Sequence, residues 1–180
     1  MITTVLMIPG LGNSGPDHWQ TLWEAVDPSI VRIRVADWDR PVCTAWVNAI
    51  DGTLRDRGGS AVVVAHSLGC LVFAHWAAQR RPTIRGAMLV AVPDPDGPDF
   101  PREAEGFSPL PLARLPCRSI IVSSQDDPYG GPQFAKTCAN VWGSTIVDIG
   151  RAGHINGASG LGRWSRGLEL LNALRSSPSA

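Results

Sequence analysis

The 180-residue sequence carries no net charge, because sixteen basic residues stand against sixteen acidic ones. No global field therefore gathers nucleic acid or draws the chain to an anionic membrane, and the expected partner is a small molecule. Metal and disulfide chemistry are equally thin. The four cysteines, Cys43, Cys70, Cys117 and Cys138, contain no C-x-x-C pair, and the four histidines are scattered. Neither a metal site nor a disulfide framework is expected, and the thiols read as free and mostly buried. Long apolar runs are missing too. The N-terminal run Val5 to Ile8 is stopped by Pro9 and Gly10, too soon for a signal peptide or a membrane span, so the expectation is a cytoplasmic protein. There is no internal repeat and no interdomain linker. With 18% charged and 44% hydrophobic residues, disorder is excluded and a single domain over 1–180 with a substantial core is expected.

What is present is a rhythm. Short apolar runs bounded by turn residues recur at 4–9 (TVLMIP), 31–35 (VRIRV), 61–66 (AVVVAH), 86–92 (GAMLVAV), 118–124 (RSIIVSS) and 144–150 (STIVDIG). Their near-continuous hydrophobicity predicts strands buried on both faces. Helical spacing lies between them: Trp46, Ile50 and Leu54 share a face, Leu68, Leu71 and Val72 begin another, PQFAKTCANVW (132–142) reads as a third, and Leu161, Trp164, Leu168 and Leu171 predict a terminal amphipathic helix. Alternating strand and helix predict an α/β fold, a three-layer α/β/α sandwich around a mostly parallel sheet. One stretch breaks the pattern. Residues 93–116 hold seven of the fifteen prolines and read as a long loop or short lid beyond the carboxyl end of a strand, where ligands bind in open parallel sheets.

The segment VVVAHSLGC places Ser67 between a strand-like run and a helical one, as a nucleophile elbow requires. Strand and helix crowd together at such a turn, so small residues are needed two positions to either side, and Ala65 and Gly69 meet that need. A serine hydroxyl is a weak nucleophile near neutral pH and needs a histidine base oriented by a carboxylate, which follow the serine in the chain order Ser, Asp or Glu, His. Both are found just past the ends of later strands. SSQDDPYGG offers Asp126 and Asp127, and IGRAGHINGASG offers His154. The remaining histidines have weaker cases. The side chain of His66 is expected to point away from Ser67, His75 to be packed or capping, and His18 either to border the pocket or to serve as a structural hydrogen-bonder.

Taken together, the elbow, the DDP loop, the GHIN loop with its SGLGRW continuation and the DWDRP stretch resemble the small α/β-hydrolase-fold serine hydrolases related to retinoblastoma-binding protein nine and YdeN. The resemblance runs from PGLGNS to GLGRW. It implies a catalytic Ser67, Asp127 and His154 in a minimal α/β-hydrolase fold without a separate cap domain. Asp127 also precedes Pro128, which biases its backbone toward an extended form, and Asp126 is left as a turn-forming Asx residue. In this fold the turn after the first central strand and the residue after the nucleophile each offer a backbone N–H to the oxyanion, positions that Leu11 and Leu68 fit.

That reading competes with another for the same loop, since Gly10, Gly12 and Gly15 satisfy the G-x-G-x-x-G spacing of a dinucleotide site, with Asp37 as the ribose-binding acid. Pro9 and a helix starting only after Gly15 argue against NAD, which stays a minor alternative. A second rival is a non-catalytic protein-binding module. Its retinoblastoma-type L-x-C-x-E signature fails here, because Leu115 and Cys117 are followed by Ser119. The expected chemistry is two-step transfer of a small acyl group with no cofactor, in a pocket to which loop position assigns His18, Phe107, Leu110 and Tyr129.

Overall fold

The computed structural model describes residues 3–55 and 61–176. Six strands, β1 (Thr4–Ile8), β2 (Ile30–Arg32), β3 (Ala61–His66), β4 (Gly86–Val90), β5 (Arg118–Ser123) and β6 (Thr145–Asp148), form one sheet in the order β2-β1-β3-β4-β5-β6. Every neighbouring pair is parallel. The order reverses between β1 and β3, and a crevice opens at such a reversal, outside the carboxyl ends of the strands. Pairing of Ile8 with Ala65 and of His66 with Val90 brings the ends of β1, β3 and β4 level at that crevice.

Two helices, α1 (Trp19–Glu24) and α5 (Ser165–Ser176), cover one face; α2 (Cys43–Arg55), α3 (Leu68–Arg80) and α4 (Pro132–Trp142) cover the other. Strand side chains alternate between the two cores. Leu6, Ile8, Val63, Ala65 and Leu89 meet Trp46, Phe73 and Trp142 on one side, and Val5, Met7, Val62, Val64 and Val90 meet Trp19, Trp23, Leu171 and Leu174 on the other. Burial on both faces therefore holds for the central strands. It fails at the edge, where Thr145, Ile146 and Asp148 of β6 are exposed, because β6 has a neighbour on one side only. The four cysteines are free and buried, as expected.

Several helix limits are written locally. Pro132 opens α4, and Gly143 ends it at φ 70°, the usual asymmetry of a proline at the start and a glycine past the end. The terminal helix differs from expectation. It starts at Ser165, not at Leu161, because Trp164 adopts φ 41°, a left-handed conformation that no helix interior accepts. That turn lays the Trp164 ring against Trp19 and Trp23, with centroids 5.0 and 5.9 Å away. Residues 93–116 contain no helix or strand; one bridge, Val42 to Glu105, ties them to the start of α2. No separate cap domain is evident, and among the described residues no helix is long and apolar enough to cross a membrane.

Candidate active site

Ser67 occupies the turn between β3 and α3 at φ 54° and ψ −126°, a conformation costly for a residue with a side chain and held only where surroundings impose it. They do so here. Its N–H donates to the Val90 carbonyl (2.9 Å) and its own carbonyl accepts from Cys70 N–H (2.8 Å). The chain packs so tightly that a Cβ at Gly69 would run into the carbonyl oxygens of Ile8 and Pro9, and one at Gly10 would lie 2.8 Å from Ser67 Cβ. Alanine at position 65 is tolerated because its side chain joins the core on the α3 side.

Opposite the serine, His154 Nε2 lies 2.7 Å from Ser67 Oγ, and His154 Nδ1 lies 2.9 and 3.0 Å from the two Asp127 oxygens. The Asp127 side chain is fully buried and the His154 side chain is 11% exposed. The three side chains thus form one unbroken chain of hydrogen bonds, across separations of 87 and 27 residues. Its members hang from the ends of β3, β5 and β6. Asp127 Oδ1 also accepts the Tyr129 N–H (3.0 Å), so the Asx turn expected of Asp126 is made by Asp127. Asp126 instead reaches sideways: its Oδ1 accepts from Ser124 Oγ and from Gly153 N–H, each at 2.9 Å. The Gly153 amide, then Ser124, hold the Asp126 carboxyl below the usual carboxylate range.

His66 departs most from the sequence reading. Its ring does not turn away from the site; its Nε2–H donates to the His154 carbonyl (2.9 Å), and the two imidazoles lie 5.0 Å apart. Alternation along β3 puts His66 on the face of Val62 and Val64, with its ring 6.1 Å from Trp19, and the histidine loop packs on that same face. His66 is buried, and this desolvation, followed by the neighbouring His154 and His18, pushes its pKa well below the usual 6.5. It is therefore a neutral donor fixing the main chain of the histidine loop. His75 donates to the Phe107 carbonyl (3.1 Å), away from the site.

The histidine loop needs such ties. Ala152 N–H donates to Ser124 Oγ (2.9 Å), Trp19 Nε1 donates to Ile155 O (2.8 Å), and Asn156 with Ser159 forms a reciprocal cap on the short turn Gly157–Ser159. Ile155, fully buried, stands at φ 49°, an outlier for a β-branched residue.

The opening loop wraps under the same site. Gly12 and Asn13 have φ 71° and 66°, and Gly12 N–H donates to Trp38 O (2.9 Å). Among the described residues the N–H groups of Leu11 and Leu68 meet no backbone carbonyl, and both residues line the cavity over Ser67. Gly10 is required by Ser67. A Cβ at Gly15 would touch nothing, and α1 starts only at Trp19, so the third glycine of the dinucleotide spacing has no structural use here.

The cavity measures about 220 Å³, below the roughly 300–1,000 Å³ of common ligand pockets. Two of the four residues assigned to it by loop position, His18 and Tyr129, line it; Phe107 and Leu110 do not. Phe107 is 1% exposed inside the core, Leu110 packs at the edge of that core, and the aromatic that faces the cavity is Phe100, with Pro101 and Pro93. A proline-rich segment has no periodicity, so its sequence does not say which aromatic turns inward.

The comparisons with known proteins bear on the family and the fold. A family model described as serine hydrolase matches residues 5–173. A YdeN-like hydrolase from Pectobacterium atrosepticum superposes with TM-score 0.85 at 32% identity, over 96% of this chain and 90% of that one. The ydeN gene product of B. subtilis follows at TM-score 0.80 and 16% identity (98% and 100% covered), and a thermophilic esterase from Thermogutta terrifontis at 0.72 and 17% (97% and 91%). At those lower identities the likeness is one of fold. Among curated protein sequences none matches the chain.

Proposed function

Since the chain belongs to the serine hydrolase family, we propose that it cleaves small acyl esters, with Ser67 as nucleophile, His154 as general base and then acid, and Asp127 as the group that orients the imidazole. The observation that carries this reading is the continuous hydrogen-bonded path from Asp127 through His154 to Ser67 Oγ. Ser67 Oγ adds to the acyl carbonyl as His154 Nε2 takes its proton. The tetrahedral oxyanion draws on the N–H groups of Leu11 and Leu68, and collapse expels the alcohol, which receives the proton from His154. Water, deprotonated by the same nitrogen, then releases the acid and restores the serine. Asp127 accepts from Nδ1–H and so keeps the Nε2 lone pair aimed at the hydroxyl. No step draws on a group from outside the chain except water.

The experiment is labelling of the purified protein with a fluorophosphonate probe, with peptide mapping. Modification at Ser67 that is lost in Ser67→Ala supports the assignment; labelling that survives the substitution overturns it. The small cavity behind Phe100 and Pro101 further predicts that p-nitrophenyl acetate and butyrate turn over faster than the palmitate ester.

A further inference from the structure

The cavity over Ser67 has two unlike walls. One, from the segment after β4 and the turn after Asp127, is formed by Pro93, Phe100, Pro101 and Tyr129; the other carries Asn13 and His18 from the opening loop, His66 from the end of β3 and Asn156 from the histidine loop. On this second wall three acceptor atoms are already engaged inside the protein. His18 Nδ1 accepts the Gln20 N–H (3.2 Å), Asn13 Oδ1 accepts from Arg32 Nη1 (2.6 Å), and Asn156 Oδ1 accepts the Ala158 N–H (3.0 Å). In each pair the partner, a guanidinium or an amide N–H, can only donate. The amide orientations and the His18 tautomer are therefore dictated by chemistry. What each side chain has left is a donor: Nδ2–H₂ of Asn13, Nδ2–H₂ of Asn156 and Nε2–H of His18. His66 adds a ring acceptor, Nδ1, since its own N–H goes to the His154 carbonyl. Among these four side chains, donors dominate.

His18 gives this wall its direction. The residue is only 6% exposed, yet its Nε2 has no hydrogen-bond partner, a state that buried polar groups in native proteins seldom leave unresolved. Burial, then the Arg32 guanidinium, then His154, pull its pKa down to about 4, so near neutral pH the ring is uncharged with its one proton on Nε2. Glu24 already pairs with Arg32 at 2.8 Å, so what selects the ligand here is the excess of donors, which a group that only accepts and carries several lone pairs, a carboxylate, matches best.

We propose that Asn13, His18 and Asn156 form a recognition site for a carboxylate carried by the substrate within a few bonds of the scissile acyl group, making the substrate class small carboxylate-bearing esters. This rests on the serine hydrolase reading and adds the polarity of one end of the substrate to it. The opposite wall takes the apolar remainder.

The test compares kcat/KM within two matched pairs. The p-nitrophenyl half-ester of glutaric acid against p-nitrophenyl pentanoate places the carboxylate on the acyl side; the acetate of p-hydroxyphenylacetic acid against that of p-cresol places it on the leaving side. The expected result is an advantage of about tenfold or more for the carboxylate member of at least one pair, as charge-assisted hydrogen bonds supply. Two variants then read the ratio within that pair. His18→Asn keeps an N-capping side chain while withdrawing the Nε2 donor, and Asn13→Gly accepts the backbone φ of 66° while removing the amide. Each is expected to shrink the advantage severalfold, whereas damage that is merely structural lowers both members of a pair alike. A wild-type protein that labels with fluorophosphonate at Ser67 but shows no carboxylate preference in either pair overturns this proposal and leaves the hydrolase reading standing. A preference unchanged in both variants also overturns it. Absence of both labelling and hydrolysis overturns the two together.

Discussion

Ser67 and His154 face each other across 2.7 Å, but they are held by opposite means. The serine sits in a turn imposed by backbone crowding: a strained φ of 54°, a buried strand before it, a buried helix after it, and glycines at 10 and 69 where no Cβ fits. The histidine sits in a loop beyond an exposed edge strand, tied by side-chain bonds from Ser124, Asp126, His66 and Trp19. The first arrangement tolerates almost no added volume, and the second depends on a few polar contacts that can be removed singly. A site can thus combine a rigid member with one whose position is distributed over many partners.

The largest expected loss on the distributed side comes from Asp127→Asn. It keeps the shape but offers an N–H where Nδ1–H needs an acceptor, trapping the wrong tautomer at a cost of about three to four orders of magnitude in kcat. Ester hydrolysis by the folded variant checks this. On the rigid side, Gly69→Ala should act through stability instead, by about 2–3 kcal/mol in urea unfolding, since the methyl group meets backbone carbonyls that cannot move aside. If Gly69→Ala were as stable as wild type, the elbow would be looser than the packing implies.

His66→Phe comes next. It leaves the His154 carbonyl unpaired, and kcat should fall about ten- to a hundredfold. The same variant tests linkage. The folded-state pKa of His66 is depressed well below 6.5, and that of His18 to about 4, so below pH 6.5 the unfolded chain takes up protons that the folded one refuses. Stability must therefore fall as pH drops from about 6.5 toward 4, by at most about 1.4 kcal/mol per pH unit for each histidine. Urea midpoints at pH 7 and 5 should show a smaller drop in His66→Phe than in wild type. The smallest effect is expected for Asp126→Asn, about tenfold or less, because its tie to Gly153 is one of several holding the loop. A larger loss for Asp126→Asn than for Asp127→Asn would reverse the roles given to the two aspartates.

Much of this architecture was legible in the chain. Each of the six apolar runs overlaps one strand, β2 starting one residue ahead of its run; the central strands are continuously apolar because both their faces are buried, and α4 fills the span its helical spacing marks. Ser67, His154 and the pair Asp126 and Asp127 could be singled out because elbow, acid loop and histidine loop each follow a strand, and Asp127 was preferred through Pro128 and the family resemblance. What sequence reasoning missed has a shared cause. The inward turn of His66, the choice of Phe100 over Phe107, the reach of Asp126 to Gly153 and the late start of α5 at Ser165 all depend on contacts with segments far away in the chain. One signal for His66 was available: a polar residue ending an otherwise apolar strand needs a partner when it is buried.

The sequence by itself determined the period of each element, the punctuation by proline and glycine, and the order in which a hydroxyl, a carboxylate and an imidazole reach one edge of a parallel sheet. These are local or topological properties, set by neighbours in the chain and by the handedness of crossovers. Only the tertiary structure decided which free atoms of that edge share one cavity. His18 and Asn156 lose their acceptors to local bonds two residues on, and Asn13 loses its own to Arg32, 19 residues away. The three donors left over line the same cavity because the parallel sheet brings the opening loop and the histidine loop to one edge, which no single stretch of sequence can settle.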